Sequence, residues 1–169
     1  LYHRDTRILS RLALLLDGRR PLLLSSGTHP DNALFTAELT NPDLEREGTE
    51  PLPRESLHVH RLKFVYGGAL HERLLVRNYG GGTRRVRLAV VFAADFADLF
   101  EVRGERRARR GGLLPGTVVQ GRAVELGYAA LDGQELRTQL AFDPAPAALN
   151  ATRAAFDLTL APGEACRIF

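Results

Sequence analysis

The sequence predicts an all-β protein, an antiparallel β-sandwich of about eleven short strands. Three observations lead there. Apolar residues alternate with polar ones instead of recurring every three or four positions. Glycine-rich and Asp-Gly turn signals fall at hairpin spacing. No segment carries the pattern of a long helix.

Taken in order, Leu12–Leu16 and Pro21–Leu24 read as strands joined by Asp17-Gly18, a hairpin signal. Leu62, Phe64 and Tyr66 point one way and Lys63 the other. Gly67-Gly68 then turns the chain into Leu70, Leu74 and Val76. Gly80-Gly81-Gly82 makes the next turn, into Val86, Leu88, Val90 and Phe92, interleaved with Arg85 and Arg87. These three runs predict a meander with one greasy face and one basic, solvated face. Val118–Tyr128 reads as one strand, followed by Asp132-Gly133 and the alternating Leu136, Thr138, Leu140 and Phe142. Phe156, Leu158 and Leu160, a Pro162-Gly163 turn and a short run to Phe169 close the pattern. Ser25–Asn32, Asn41–Glu55 and Asp143–Ala151 are expected to be loops. Phe92, Phe96 and Phe100 fall at i, i+4 spacing, which allows one helical turn near Asp95.

The chain has 169 residues, enough for one domain spanning 1–169, and a hydrophobic content of 44%, ordinary for a globular protein. No apolar run reaches the roughly 18 residues a membrane helix needs, and no membrane partner is expected. The amino terminus lacks a signal-peptide pattern. The sequence starts at Leu1 and contains no methionine, so it is expected to be a piece of a longer polypeptide. Its one cysteine, Cys166, fits a reducing, cytoplasmic compartment. Of 23 basic residues all but Lys63 are arginine, yet the net charge is only +3, weak for a nucleic-acid binder.

The densest chemistry lies in Ala94–Gly104, where Asp95, Asp98 and Glu101 stand with Arg103 among Phe96, Leu99 and Phe100. Charges beside such apolar density are paired or aimed at something. A glycosidase needs two carboxylates facing each other across a bond. Three-residue spacing would align these acids on a helix, where all share one face. Pairing with Arg103, Arg106 or Arg107 and the capping of turns is the expectation, with contact to a ligand or a neighbouring domain as the functional alternative. Arg4, Asp5, Thr6 and Arg7 form a second segment of the same character.

His58 and His60 share a strand face and His71 lies on the next strand, but a zinc site needs further ligands. Scattered sheet-face histidines are expected, and no metal or other cofactor. Ser25, His29 and Asp31 bring triad residue types into one short stretch, which is a polar loop, since a fold and not sequence proximity assembles a triad. The run Arg103–Arg110 is the concentrated basic patch. Without aromatic stacking residues nearby it is expected to be balanced by Glu101 and Glu105 or to dock on an acidic neighbour. A free-standing module binding an acidic polymer through this run is the rival reading. With no Trp and four Tyr, the chain is poor in the flat platforms of an autonomous starch-binding module.

Arg4-Asp5-Thr6-Arg7 with Leu9-Ser10, Pro21–Ser26, Asp31-Asn32-Ala33, Leu39–Asp43, Asn78-Tyr79, Asp95–Gly104 and Leu131-Asp132-Gly133 occur in one order along the chain. In that order they resemble the amino-terminal domain of bacterial and archaeal glycogen debranching enzymes of the amylo-α-1,6-glucosidase type. The resemblance implies a non-catalytic β-sandwich placed before an (α/α)-barrel that carries the catalytic carboxylates. It implies a parent glycoside hydrolase, partnership with that enzyme's own C-terminal catalytic domain, and its α-glucan as substrate. It assigns no catalytic residue to this segment. Arg4, Asp5, Thr6, Arg7, Asp95, Asp98, Glu101 and Arg103 are then candidates for interdomain or glycan contact.

Overall fold

The computed structural model of the chain describes residues 1–30, 32–45 and 50–169. Among them the fold is all-β and antiparallel, as the alternation predicts, with one helix of four residues. No helix among the described residues is long and apolar enough to cross a membrane.

The strands are β1 (Tyr2–His3), β2 (Thr6–Arg7), β3 (Arg11–Leu16), β4 (Leu22–Thr28), β5 (Leu34–Thr40), β6 (Leu57–Tyr66) and β7 (Ala69–Asn78). They continue as β8 (Arg84–Ala93), β9 (Gly112–Val119), β10 (Ala123–Ala129), β11 (Glu135–Ala141), β12 (Ala148–Asn150), β13 (Arg153–Leu160) and β14 (Ala165–Ile168), with α1 at Leu99–Val102. That makes 14 strands among the described residues where about eleven were expected. The surplus has local causes. Tyr2–Arg7 folds into a miniature hairpin, and a short strand sits within the expected loop Asp143–Ala151. Val118–Tyr128 is cut in two by Gln120-Gly121, both at positive φ, a type I′ turn whose first residue is not a glycine. Ser25–Thr28 belongs to β4 and is not loop.

The chain divides into two compact units, one of residues 1–13 and 90–155, the other of 14–89 and 156–169. In the second unit, the sheet β14-β7-β6-β5-β4 buries Ala37, Leu39, Leu57, Val59, Leu74, Val76 and Ile168. Parts of β3, β8 and β13, from the sheet β12-β13-β8-β3, bury Leu14, Leu16, Val86, Leu88, Phe156 and Leu160. Two sheets with one apolar face each make a sandwich, because only stacking removes both faces from water.

Three expected hairpins are sheet crossings instead. Asp17-Gly18 closes a tight turn, with Leu16 and Arg19 exchanging backbone bonds, but β3 and β4 then enter different sheets. Gly80–Gly82 takes the chain from β7 to β8 in the other sheet, so the expected meander does not form and β14 occupies the place beside β7. Pro162-Gly163 crosses back again. Asn78 fastens two of these crossings: it is fully buried, donates to the Gly82 and Leu160 carbonyls, both at 2.9 Å, and accepts from the Gly80 N–H at 2.8 Å. By contrast Gly67-Gly68, both at positive φ, and Asp132-Gly133 close true hairpins.

The faces of β6 are the reverse of the expectation. Leu57 and Val59 lie on the buried side together with Arg61 and Lys63, and Arg61 pairs with Glu72 there. Phe64 and Tyr66 stand on the outer side with His58 and His60 and are exposed, Tyr66 by 75%. The greasier end of the strand thus faces out, because the pleat is set by the buried half.

The first unit holds the sheet β11-β10-β9 and the β1-β2 hairpin. Its core includes Phe92 against Phe142, and Phe96 stacked on Tyr128 at 5.6 Å. A bulge in β9 sets Pro115-Gly116 opposite Leu126, which tolerates the proline on an edge strand.

Candidate functional site

Of the eight candidate contact residues, the first unit gathers five into one polar cluster. The N–H of Arg7 donates to the Ala97 carbonyl at 2.8 Å, and Thr6 bridges Asp98, so β2 lies along the segment that precedes α1. Arg7 grips Asp95 with two parallel bonds, Nε to Oδ1 at 3.1 Å and Nη2 to Oδ2 at 2.5 Å. This fork is the strongest geometry available to an arginine–carboxylate pair. Between Asp95 and the helix, Phe96 is buried at φ 50°, a costly value for a bulky residue. Its stacking on Tyr128 compensates, and the kink turns Asp98 to the start of α1.

Asp98 is the N-cap. Its Oδ1 accepts from the Phe100 and Glu101 N–H groups at 2.8 and 2.9 Å, while Glu101 Oε2 accepts from the Asp98 N–H at 3.0 Å. This is a capping box, legible in sequence as Asp-x-x-Glu. The other Asp98 oxygen takes Arg107. Arg110 reaches Glu101 Oε1 at 3.0 Å and the Asp95 carbonyl, and its guanidinium lies 5.6 Å from the centre of the Tyr128 ring. Tyr128 in turn accepts the Gly111 N–H at 2.8 Å. Pairing and capping were expected of these acids. Arg107, one of the three expected partners, holds Asp98, whereas Asp95 is held by Arg7, which was not among them.

Electrostatics follow from these contacts. Burial pushes the Asp95 carboxyl up, but the Arg7 guanidinium and the Ala97 N–H outweigh it and hold it below the usual carboxylate range. The Glu101 N–H, with Arg107 and the Phe100 N–H, likewise lowers Asp98 against its own desolvation.

The remaining candidates stand apart from this network. Arg4 and Asp5 are the two loop residues of the β1–β2 hairpin, at φ 45° and 61°, both exposed. Neither they nor Arg103 makes a side-chain hydrogen bond or ion pair among the described residues. The basic run is accordingly split: Arg107 and Arg110 are engaged, while Arg103, Arg106 and Arg109 project into solvent.

In the second unit His58 and His60 share a face, and a residue that sequence reasoning missed, Glu38 on β5, stands beside both. Its carboxylate lies 2.8 Å from His58 Nε2 and 3.6 Å from His60 Nε2. The signal was a carboxylate on the neighbouring strand, which needs the register to be seen. His71 stacks on Phe64 at 4.9 Å instead of joining them. No group of three or more His, Cys, Asp or Glu among the described residues is placed to hold a metal ion. Ser25 lies on β4, and Asp31, the carboxylate of the expected polar loop, is outside the described residues.

A family model described as the N-terminal domain of (some) glycogen debranching enzymes matches residues 1–169, the whole chain. No curated protein matches.

Proposed function

The chain belongs to the family of N-terminal domains found in some glycogen debranching enzymes, and from that premise we propose that residues 1–169 act as one non-catalytic domain. It supports a linked catalytic domain of the α-1,6-glucosidase type, a cytoplasmic glycoside hydrolase, and helps to shape its α-glucan site. The family match over the whole chain carries this reading.

The carboxylates of the polar cluster support it. A glycosidase acid must keep its proton near neutral pH, so its pKa is raised. Asp95 and Asp98 are shifted the other way, and each is bound to an arginine. Such groups hold a fold together and do not deliver protons.

Arg4, Asp5, Thr6, Arg7, Asp95, Asp98, Glu101 and Arg103 are assigned to the contact with the catalytic domain or its glucan, in two roles. The paired members Arg7, Asp95, Asp98 and Glu101 set the surface, with Thr6 tied to it through the backbone. The unengaged Arg4, Asp5 and Arg103 reach the partner. Strained residues at an exposed hairpin tip fit such a contact, since left-handed backbone at non-glycine residues costs of order 1 kcal/mol each. The test is Arg4→Ser with Asp5→Ser and Arg103→Ser in the parent enzyme. Debranching activity should fall about tenfold, equal to about 1.4 kcal/mol of contact, while the melting temperature of the 169-residue chain stays unchanged. Asp98→Ala, by contrast, should lower that melting temperature by stripping the cap. Full activity in the triple variant refutes the assignment.

A further inference from the structure

The outer face of the five-stranded sheet has a composition that neither the core nor the polar cluster accounts for. Directly opposed residues share a face, so the register places them in rows. Glu38, His60 and Leu75 form one row; Thr36, Leu62 and Arg73 the next; Leu34, Phe64 and His71 the one after. Beside the first row, His58 opposes Arg77. Tyr79 closes that end, edge-on to His58 with ring centres 6.0 Å apart and 6.0 Å from the Arg77 guanidinium. Tyr66 stands at the far end, and Phe64 is stacked with His71 between.

Two polar atoms on this face are shut away from water without a hydrogen-bond partner, Glu38 Oε2 and Arg73 Nε. His58 Nε2 lies 2.8 Å from that oxygen without making a hydrogen bond to it. An orphaned polar atom on a charged group is expensive. Here one orphan is an acceptor and the other a donor. Glu38 still exposes 36% of its side chain and Arg73 is half-buried, so a small change in the terminal torsions brings both to a ligand.

We propose that this face binds a neutral oligosaccharide laid along β6 from Tyr79 towards Tyr66. One sugar hydroxyl can donate to Glu38 and another accept from Arg73. An anion would satisfy Arg73 but meet Glu38, and a cation the reverse, so a neutral polyol fits both. The exposed rings of Tyr79 and Tyr66 supply apolar flats for the C–H faces of sugar rings. The row from His58 to Tyr66 is about 27 Å long at the rise of a strand, which fits several sugar units and not one. The site lies in the second unit and uses none of the residues assigned to the catalytic partner. Choosing an α-glucan among neutral oligosaccharides rests on the proposed function.

The probe is maltoheptaose, titrated calorimetrically into the 169-residue chain and mapped by hydrogen exchange. Expected are binding at millimolar sugar and slowed exchange confined to β5, β6 and β7. Tyr79→Ala and Arg73→Gln should each weaken binding about tenfold, the loss of one stacking or charge-assisted contact. The exchange map needs no variant, so a failure of Arg73→Gln to fold leaves the test intact. No heat and no protection at millimolar sugar overturns the proposal, as does protection appearing only on residues 90–110. Binding that both variants leave intact overturns it too. So does a result in which they weaken association with the separately expressed catalytic domain instead, since the face would then be a protein contact. Because no catalytic domain is present in the titration, its outcome is independent of the contact assigned to Arg4, Asp5 and Arg103.

Discussion

The polar cluster of the first unit and the outer sheet face of the second are built from the same residue types, carboxylates, arginines and aromatic rings. In the cluster every carboxylate is answered. Asp95 has Arg7 and the Ala97 N–H; Asp98 has two helix N–H groups and Arg107; Glu101 has Arg110 and the Asp98 N–H. On the sheet face Glu38 stands beside two histidines with one oxygen unsatisfied, and Arg73 keeps a buried N–H without an acceptor. A closed network rigidifies the fold and has little left to offer a ligand, whereas an open one costs stability until something completes it. The difference separates charges that build this protein from charges that await a partner, and it can be broken by experiment.

The largest expected effect is at Gly111, which closes the cluster beneath Arg110. A Cβ there would stand 2.0 Å from the Ala129 carbonyl and 2.9 Å from the Tyr128 ring. Gly111→Ala must shift backbone, and with it the tyrosine under the Arg110 guanidinium. A loss of about 3 kcal/mol is expected, the upper part of the overpacking range, read by urea denaturation. A loss within experimental error would mean that the cluster does not constrain the unit.

A smaller effect is expected from Arg7→Met, which leaves Asp95 half-buried and charged. Since a third of that carboxyl is exposed, solvent screens it, and about 1 kcal/mol is expected. The acid profile checks the sign. Asp95, Asp98 and, in the second unit, Asp157 beside Arg87 are all held below their unfolded values. Their contribution is complete above the unfolded carboxylate pKa near 4 and is lost as pH falls through the lower folded values. Melting temperature should therefore be flat above about pH 5 and fall below about pH 4, less steeply in Arg7→Met. An equally steep acid fall in the variant would show that Arg7 does not set the Asp95 pKa.

How much of this was legible in sequence differs by element. The alternation of Val86, Leu88, Val90 and Phe92 marked a buried strand, and all four are buried. The hairpins at Gly67-Gly68 and Asp132-Gly133 were marked by turn residues that only a few conformations suit. Asp17-Gly18, Gly80–Gly82 and Pro162-Gly163 carry equally good turn signals, yet turn chemistry fixes a reversal and not the sheet the next strand joins. That choice rests on long-range contacts such as Asn78 to Leu160. The facing of β6 was misjudged because Phe64 and Tyr66 are apolar while Arg61 and Lys63 are not. The pleat obeys Leu57 and Val59, which sit deeper. In the cluster, the composition of Asp95–Gly104 pointed to pairing and capping, and Arg107, 9 residues from Asp98, was named as a partner, but the partner of Asp95 lies 88 residues away. Glu38 was invisible for the same reason, since only the register brings it to His58 and His60.

The smallest expected effect sharpens the comparison from the other side. If the sheet face is an open network, removing its members should not cost stability as removing Arg7 does. Tyr66 is 75% exposed at the end of a hairpin, and Tyr66→Ala should change stability by less than about 0.5 kcal/mol, the range of ordinary surface substitutions. Arg73→Gln is the more telling case. It removes a cation whose Nε–H is buried without an acceptor, so the chain loses a desolvation cost together with the packing of the side-chain stem, and the two oppose each other. Urea midpoints of both variants should lie within error of the parent chain. A fall in Arg73→Gln as large as that in Arg7→Met would mean that Arg73 is answered within the fold after all. The two regions would then be alike, and the sheet face would be structural.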